Sequence, residues 1–263
     1  MTDGTPAPAS GAAPDRPRPT PRARARAELM ADLLAAARRR LVEDGAQQLS
    51  LRAVARDLGL ASSAVYRYVP SRDALLTLLV VESYDAVGAA VEDAAARSVA
   101  AGHDAARTWL EVARAWRRWA LADPHAFELV YGTPVPGYEA PPDTIAAATR
   151  VWGVLVDVLV AAHRDGALDP TAAPFPAAGV CDPAAEAFAA ARTPDADLLD
   201  PTGPARAIAL FASVLGAVSA ELFGHLHRVA GDRSRAFDVV VATAAAGVGL
   251  RLDLAAVWGA SAP

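Results

Sequence analysis

The stretch LRAVARDLGLASSAVYRYVPSR, residues 51–72, decides the fold of this chain. An apolar helical pattern ends at Gly59 and resumes directly after it. Glycine suits the position after a helix end, because the backbone there often needs a positive φ. Ala55 is small enough to let a second helix cross the first closely, and Val65 would fill that crossing. The spacing therefore predicts a helix-turn-helix.

The second helix of this motif would present a polar face to solvent, made of Ser62, Ser63, Tyr66 and Arg67. Pro70 would end the segment, and Ser71 is a good N-cap for the helix that follows. Arg72 would lie in the first turn of that helix, where main-chain N–H groups and a cation suit a phosphate. Two helices around a glycine also occur in all-α proteins that never touch DNA. The continuation YRYVPSRDALL favours DNA binding over that alternative.

The stretch from Arg24 to Leu79 resembles the N-terminal domain of TetR-family transcriptional regulators. The matching positions are Ser50, Gly59, Tyr66, Tyr68, Val69 and Leu75. The chain departs from the family pattern at Tyr68, where His is frequent, and at Arg72, where Lys is usual. It also has Ala61 where Ser often caps the recognition helix, which makes Ser62 the substitute cap.

The resemblance implies a role for each polar residue of the motif. Tyr66, Tyr68 and Arg72 would hold phosphates of double-stranded DNA. The residues facing base edges would be Arg52, Ser62, Ser63 and Arg67.

Charge is distributed unevenly along the 263 residues, whose net charge is −5. Residues 1–75 hold 12 arginines against 8 acidic residues, whereas residues 76–263 hold 13 arginines against 22. A basic end on an acidic body is expected where one end meets a polyanion. Residues 1–22 are rich in Pro, Ala and Gly and predict a disordered tail. Its arginines fit either a solubilising tail or an arm in the minor groove.

Enzymatic signatures are missing from the sequence. Cys181 is the single cysteine and lies in a proline-rich stretch, which argues against a disulfide and against a nucleophilic thiol. His225 and His227 are two residues apart and would point to different faces of a helix, a poor arrangement for a metal. We therefore expect no catalytic residue, no metal site and no cofactor. The lack of a disulfide also favours a cytoplasmic location.

The chain reads as all-α, with an N-terminal three-helix helix-turn-helix domain at 23–71 and a larger ligand-binding and dimerisation domain at 72–263. The first helix should span 24–43. Apolar periodicity predicts the later long helices at 72–98, 104–122, 143–165, 204–229 and 233–255. Residues 166–204 hold seven prolines and predict an irregular excursion with a short helix near 184–192. The last two helices are too short or too polar for membrane spans, and their small residues favour a homodimer interface over burial within one subunit.

The segment WRRWALADPHAFELVYGTPVPGYEAP resembles the effector region of a TetR subgroup common in actinobacteria. That resemblance implies a cavity for a small-molecule effector among the middle helices. Its lining is predicted to be Trp116, Phe127, Tyr131 and Trp152, with Tyr84 as the link to the DNA-binding domain, although aromatics in such a pattern more often form a core than a pocket. The sequence thus predicts a dimeric repressor that reads an inverted repeat and is released by a largely apolar ligand. The alternatives are an all-α enzyme or binding protein whose N-terminal domain does not bind DNA, and a ligand-blind or activating regulator.

Overall fold

The computed structural model describes residues 20–169, 179–192 and 202–259. These residues form an all-α protein, as the sequence predicts. The helices are α1 Pro21–Asp44, α2 Leu51–Asp57, α3 Ser62–Tyr66, α4 Arg72–Ala100, α5 Ala105–Ala122, α6 Pro124–Tyr131, α7 Ile145–Arg164, α8 Pro183–Arg192, α9 Gly203–Leu222, α10 Arg233–Gly247 and α11 Leu254–Gly259. Short 3-10 turns at Ala46–Gln48 and Pro142–Thr144 precede α2 and α7.

Helix α1 begins earlier than its apolar pattern indicates. The Thr20 hydroxyl accepts a hydrogen bond from the Ala23 amide at 3.2 Å, and Pro21 occupies the first helical position. The predicted tail therefore does not reach residue 22, and residues 1–19 of it lie outside the described residues. At its other end the helix continues to Asp44. Arg38 pairs with Glu82 of α4, and Arg40 pairs with Asp57 of α2.

The turn between α2 and α3 has the predicted geometry. Gly59 has φ +65°, and the Leu60 amide donates to the Ala55 carbonyl at 2.9 Å while the Gly59 amide donates to Arg56 at 3.1 Å. These two bonds define a Schellman motif, which requires the left-handed backbone at the glycine. The predicted cap on α3 is wrong: Ala61 occupies the N-cap, and Ser62 is already the first helical residue.

Helix α4 belongs to two hydrophobic cores at once. Its first two turns place Leu75, Leu76 and Leu79 in the core of the helix-turn-helix domain, together with buried side chains of α1 and α2. Further along, Val87 and Val91 join the core formed with α5, α7, α9 and α10. One rigid helix of 29 residues thus connects the two parts of the molecule.

The body is fixed by packing and by two ion pairs that start from α5. Arg117 pairs with Glu221 of α9 at 2.7 Å, and Arg114 pairs with Asp238 of α10 at 2.6 Å. The acidic partner of each pair is at most 7% exposed, so it requires the guanidinium that neutralises it. By length and composition alone, helices α4, α7 and α9 could cross a membrane, so the expectation that the helix starting near residue 204 is too polar is wrong on that criterion. In the structure these helices pack together around α5.

Helices α9 and α10 end earlier than their alanine-rich patterns predict. Gly224, with φ +77°, follows α9, and Gly249, with φ +86°, follows α10. An antiparallel β-bridge pairs Leu168, which follows α7, with Leu250, which follows α10. The buried Arg206 guanidinium donates to the Val248 carbonyl at this junction, a contact that no sequence pattern indicates.

Candidate DNA-binding surface and effector cavity

The outer face of the helix-turn-helix collects most of the residues predicted to meet DNA. Arg52, Ser63, Tyr66 and Arg67 are exposed, whereas Ser62 is half-buried at the start of α3. Neither Arg52 nor Arg67 forms an ion pair with any residue that the structure describes. Two guanidinium groups without an internal partner are available for phosphates or base edges.

The face also includes Arg56, one turn after Arg52 on α2 and likewise exposed, which the sequence analysis missed. The sequence did not identify Arg56 as a candidate DNA contact, because an arginine on a solvent-exposed helix face is common in proteins of any function.

Arg72, whose side chain is 33% exposed, already forms hydrogen bonds within the domain. Its Nη2 atom donates to the carbonyls of Ala46 at 2.9 Å and Gln47 at 3.0 Å, and its Nε atom donates to Leu49 at 3.2 Å. The Ala46 and Gln47 carbonyls belong to the 3-10 turn before α2, and Leu49 directly follows that turn. In this arrangement Arg72 fastens the first turn of α4 to the entry of the helix-turn-helix.

Tyr68 is half-buried and packs against the domain core, with the Arg26 guanidinium 5.5 Å from its ring centroid. The ring therefore has a packing role whether or not its hydroxyl meets a phosphate.

A second internal tie fixes α1 against α2. Arg40 binds both carboxylate oxygens of Asp57, at 2.6 and 2.7 Å. The hydrogen bonds from Arg40 hold the pKa of Asp57 below its ordinary value.

A partly open cavity of about 460 Å³ lies in the body, on the side next to the DNA-binding domain. Its wall is formed by α4, α6, α7 and the loop that joins α6 to α7. The lining side chains include Val80, Tyr84, Leu129, Val130, Val135, Tyr138, Ile145, Ala148, Thr149 and Trp152, none of which is charged. This size and lining suit a small molecule with a largely apolar surface.

The structure places only two of the five predicted lining residues, Tyr84 and Trp152, on the cavity wall. Trp116 and Phe127 are fully buried in the core of the body, and Tyr131 packs between them with ring centroids 5.4 and 5.5 Å away. Helical periodicity explains the discrepancy, because it identifies the face that is buried but not which buried side chains border empty space.

The aromatic cluster nevertheless supports the cavity wall from behind. Trp152 stacks on Phe211 with centroids 4.3 Å apart, and Phe211 in turn meets Trp116 at 5.2 Å. Within the described residues, the buried indole N–H of Trp116 has no acceptor, and neither does the indole N–H of Trp152 at the wall. The indole N–H of Trp152, a residue of the cavity wall, can therefore bind an acceptor without breaking an existing bond.

Tyr84 on the cavity wall and Tyr131 in the core behind it are both protonated at neutral pH. Burial raises the pKa of Tyr84, and the neighbouring Tyr138 raises it further. Burial also raises the pKa of Tyr131 well above its usual range. The Tyr84 hydroxyl donates to the Val130 carbonyl at 3.2 Å, which joins α4 to α6 across the wall.

Family models assign this arrangement to a known class. Residues 33–79 match the model described as bacterial regulatory proteins of the tetR family. Residues 109–244 match a second model, the tetracyclin repressor-like C-terminal domain, which covers more than half of the chain. The chain belongs to the TetR family of DNA-binding transcriptional regulators.

Individual relatives agree with this assignment. The chain is 41% identical over 204 residues to the HTH-type transcriptional regulator Rv1816 of Mycobacterium tuberculosis, which covers 75% of this chain and 82% of the relative. The same figures hold for the regulator Mb1846 of Mycobacterium bovis. Among solved structures, a protein described as regulatory, SCO4313, is 31% identical with a TM-score of 0.64, covering 86% of this chain and 98% of the other. A protein from Rhodococcus sp. RHA1, 23% identical with a TM-score of 0.63 and covering 84% and 95%, shares the fold.

Proposed function

We propose that this regulator is a cytoplasmic, dimeric repressor that leaves its operator when a neutral, largely apolar molecule enters the cavity. The observation that carries the proposal is the position of the cavity, whose wall includes residues packed against the core of the DNA-binding domain. A ligand placed there can favour one arrangement of that domain over another, which is the condition for releasing DNA. Its family relatives are transcriptional regulators, which favours binding over catalysis as its activity.

The residues proposed to contact DNA are those whose side chains are exposed on the helix-turn-helix. Arg52, Ser63 and Arg67 would read base edges, with Ser62 at the start of α3. Tyr66, 43% exposed, would bind a phosphate through its hydroxyl. Because one short recognition helix reads few base pairs, two copies on an inverted repeat are the economical arrangement.

The chemistry of the wall supports the proposed ligand class. A charged molecule would lose its hydration without gaining a counter-charge, because no lining residue is charged. An acceptor on the ligand, such as a carbonyl or ether oxygen, would meet the free indole N–H of Trp152. The effector would then be a neutral molecule with an aromatic or aliphatic body and at least one acceptor.

Substitution of Arg52 tests the DNA contact. We expect Arg52→Ala to weaken binding to the duplex that the wild-type protein selects from a random library by about 1–3 kcal/mol, and to relax specificity at one position. The matched control is Arg97→Ala, which removes the same charge from the far end of α4, where Arg97 is 69% exposed. Equal affinities for wild type and Arg52→Ala in titrations at fixed salt would refute the assignment.

The ligand is tested by release of that duplex across a panel of neutral aromatic compounds. Compounds that release DNA should also quench tryptophan fluorescence, and Trp152→Phe should weaken both effects. Release by charged compounds alone would contradict the proposed ligand class.

A further inference from the structure

Three side chains of the α6–α7 region face two environments at once. Leu129, Val135 and Tyr138 line the cavity, and each also packs against the hydrophobic core of the DNA-binding domain. Leu129 is on α6, and the other two are in the loop after it. The cavity and the DNA-binding domain therefore share a wall.

Tyr138 adds a directed contact to this shared wall. Its hydroxyl oxygen lies 3.0 Å from Thr77 Oγ1 on α4. The Thr77 hydroxyl also lies 2.9 Å from the Asp73 carbonyl, and only the threonine can donate in that bond. Because a threonine hydroxyl has one proton, Tyr138 must be the donor to Thr77.

The contact between Tyr138 and Thr77 lies close to Arg72, the residue that ties α4 to the helix-turn-helix. Thr77 is one and a half turns after Arg72, whose guanidinium holds the carbonyls of the turn at 46–49. A rigid helix carries a displacement over that distance. A continuous set of contacts thus runs from the cavity wall through Tyr138 and the start of α4 to the entry of α2.

Tyr84 lacks this connection, although it lines the same cavity. Its hydroxyl donates to the Val130 carbonyl, so both ends of that bond lie in the cavity wall. The two tyrosines of the cavity therefore differ in their hydrogen-bond partners: Tyr138 binds Thr77 near the start of α4, and Tyr84 binds the Val130 carbonyl within the wall.

We propose that Tyr138 is the positioning residue through which occupancy of the cavity reaches the DNA-binding domain. A ligand that fills the cavity displaces the Tyr138 ring, the hydroxyl leaves Thr77, and the start of α4 loses its tie to the loop. This inference rests on the proposed effector function, because it concerns how the same cavity controls DNA affinity.

The test uses full-length protein and a tethered substitute for the ligand. Ala148 lines the cavity from α7, so Ala148→Trp places an indole inside it, and Ala148→Leu is a smaller filler if the first variant unfolds. Tyr138→Phe removes only the hydroxyl that reaches Thr77. The matched control is Tyr84→Phe, which removes the other tyrosine hydroxyl of the same cavity.

Two readouts are recorded for each variant: amide hydrogen exchange of residues 46–58, and affinity for the selected duplex. We expect Tyr138→Phe to accelerate exchange and weaken DNA binding by about 2- to 10-fold, the range of one net hydrogen bond. Tyr84→Phe removes a hydrogen bond that lies within the cavity wall, so it should change both readouts less than Tyr138→Phe does. In the wild-type background, the Ala148 filler should change exchange and affinity as Tyr138→Phe does. When Tyr138 is already Phe, the filler should change both readouts little further, because the same hydrogen bond cannot be lost twice.

Two results would overturn the inference. One is the same exchange and affinity in Tyr138→Phe as in Tyr84→Phe. The other is a full additional effect of the cavity filler when Tyr138 is already Phe, which a merely stabilising hydroxyl would produce. A wild-type protein that selects no duplex would refute the proposed function instead, and the exchange readout would still decide whether the cavity and the helix-turn-helix are coupled.

Discussion

Arg72 donates hydrogen bonds to three main-chain carbonyls of the turn before α2, and this arrangement determines what the residue contributes. The same positive charge at the first turn of α4 suggested a phosphate ligand when only the sequence was considered. The two roles differ in their consequences. A phosphate ligand affects DNA binding alone, whereas a guanidinium that satisfies three carbonyls affects the folded domain itself.

We therefore expect Arg72→Ala to lower the free energy of unfolding by about 1–2 kcal/mol, because hydrogen bonds to a charged group are lost at a partly solvated site. Arg72→Lys should not restore the free energy of unfolding, because one ammonium group cannot reach all three carbonyls that the planar guanidinium of Arg72 contacts. Urea denaturation of the three proteins makes the comparison. Wild-type stability in Arg72→Ala, combined with a salt dependence of DNA binding reduced by about one unit, would support the phosphate role.

At the scale of single elements, Gly59 has a backbone that only glycine adopts without strain. Its φ is +65°, and a Cβ built there would meet no atom within 4 Å. Replacement with a larger residue therefore changes backbone energy without creating a clash.

Gly59→Ala should destabilise the protein by about 1–2 kcal/mol, the cost of the left-handed conformation for an ordinary residue. Gly59→Asn is the control, because asparagine tolerates this conformation better and should cost less. Thermal unfolding should rank wild type above Asn and Asn above Ala. A ranking with Ala equal to wild type would mean that the turn relaxes out of its Schellman geometry.

The accuracy of sequence-based prediction varied from element to element for physical reasons. The predicted ranges of helices α4 and α5 agree with the structure within about two residues, because a serine cap and an aspartate cap accompany their apolar periods. Helices α9 and α10 were extended too far. Glycine is helical at Gly216 but left-handed at Gly224, and alanine-rich surroundings do not distinguish the two cases.

The cavity was harder to predict than the helix-turn-helix surface. An exposed polar residue such as Tyr66 can be read from one local pattern. Val135 and Tyr138 belong to a proline- and glycine-rich loop without periodicity, and their role depends on contacts with α4 about 60 residues earlier in the chain. Long-range contacts of this kind leave no local signal.

At the scale of the whole molecule, the outer face of α9 and α10 stays apolar in the single chain. Ile208, Val239 and Val240 are between 40% and 47% exposed, and Gly216 faces open space. The opposite face of α9 is buried against the body, through residues such as Leu210. Exposed apolar side chains beside small residues suit close packing of two helix pairs, as in an isologous dimer.

Gly216 allows the interface to be tested without disturbing the fold. Because nothing lies within 4 Å of a Cβ at this position, Gly216→Leu fits the single chain, and replacing glycine inside a helix favours the helix by about 0.5–1 kcal/mol. In a two-fold interface both copies contribute the new leucine at a place where the helices approach closely. The resulting overpacking should raise the dimer dissociation constant at least about 10-fold. Ala96→Leu on the exposed face of α4 is the control that should leave assembly unchanged. Sedimentation velocity over a micromolar concentration series measures both, and a wild-type chain that stays monomeric while bound to its selected duplex would exclude this interface.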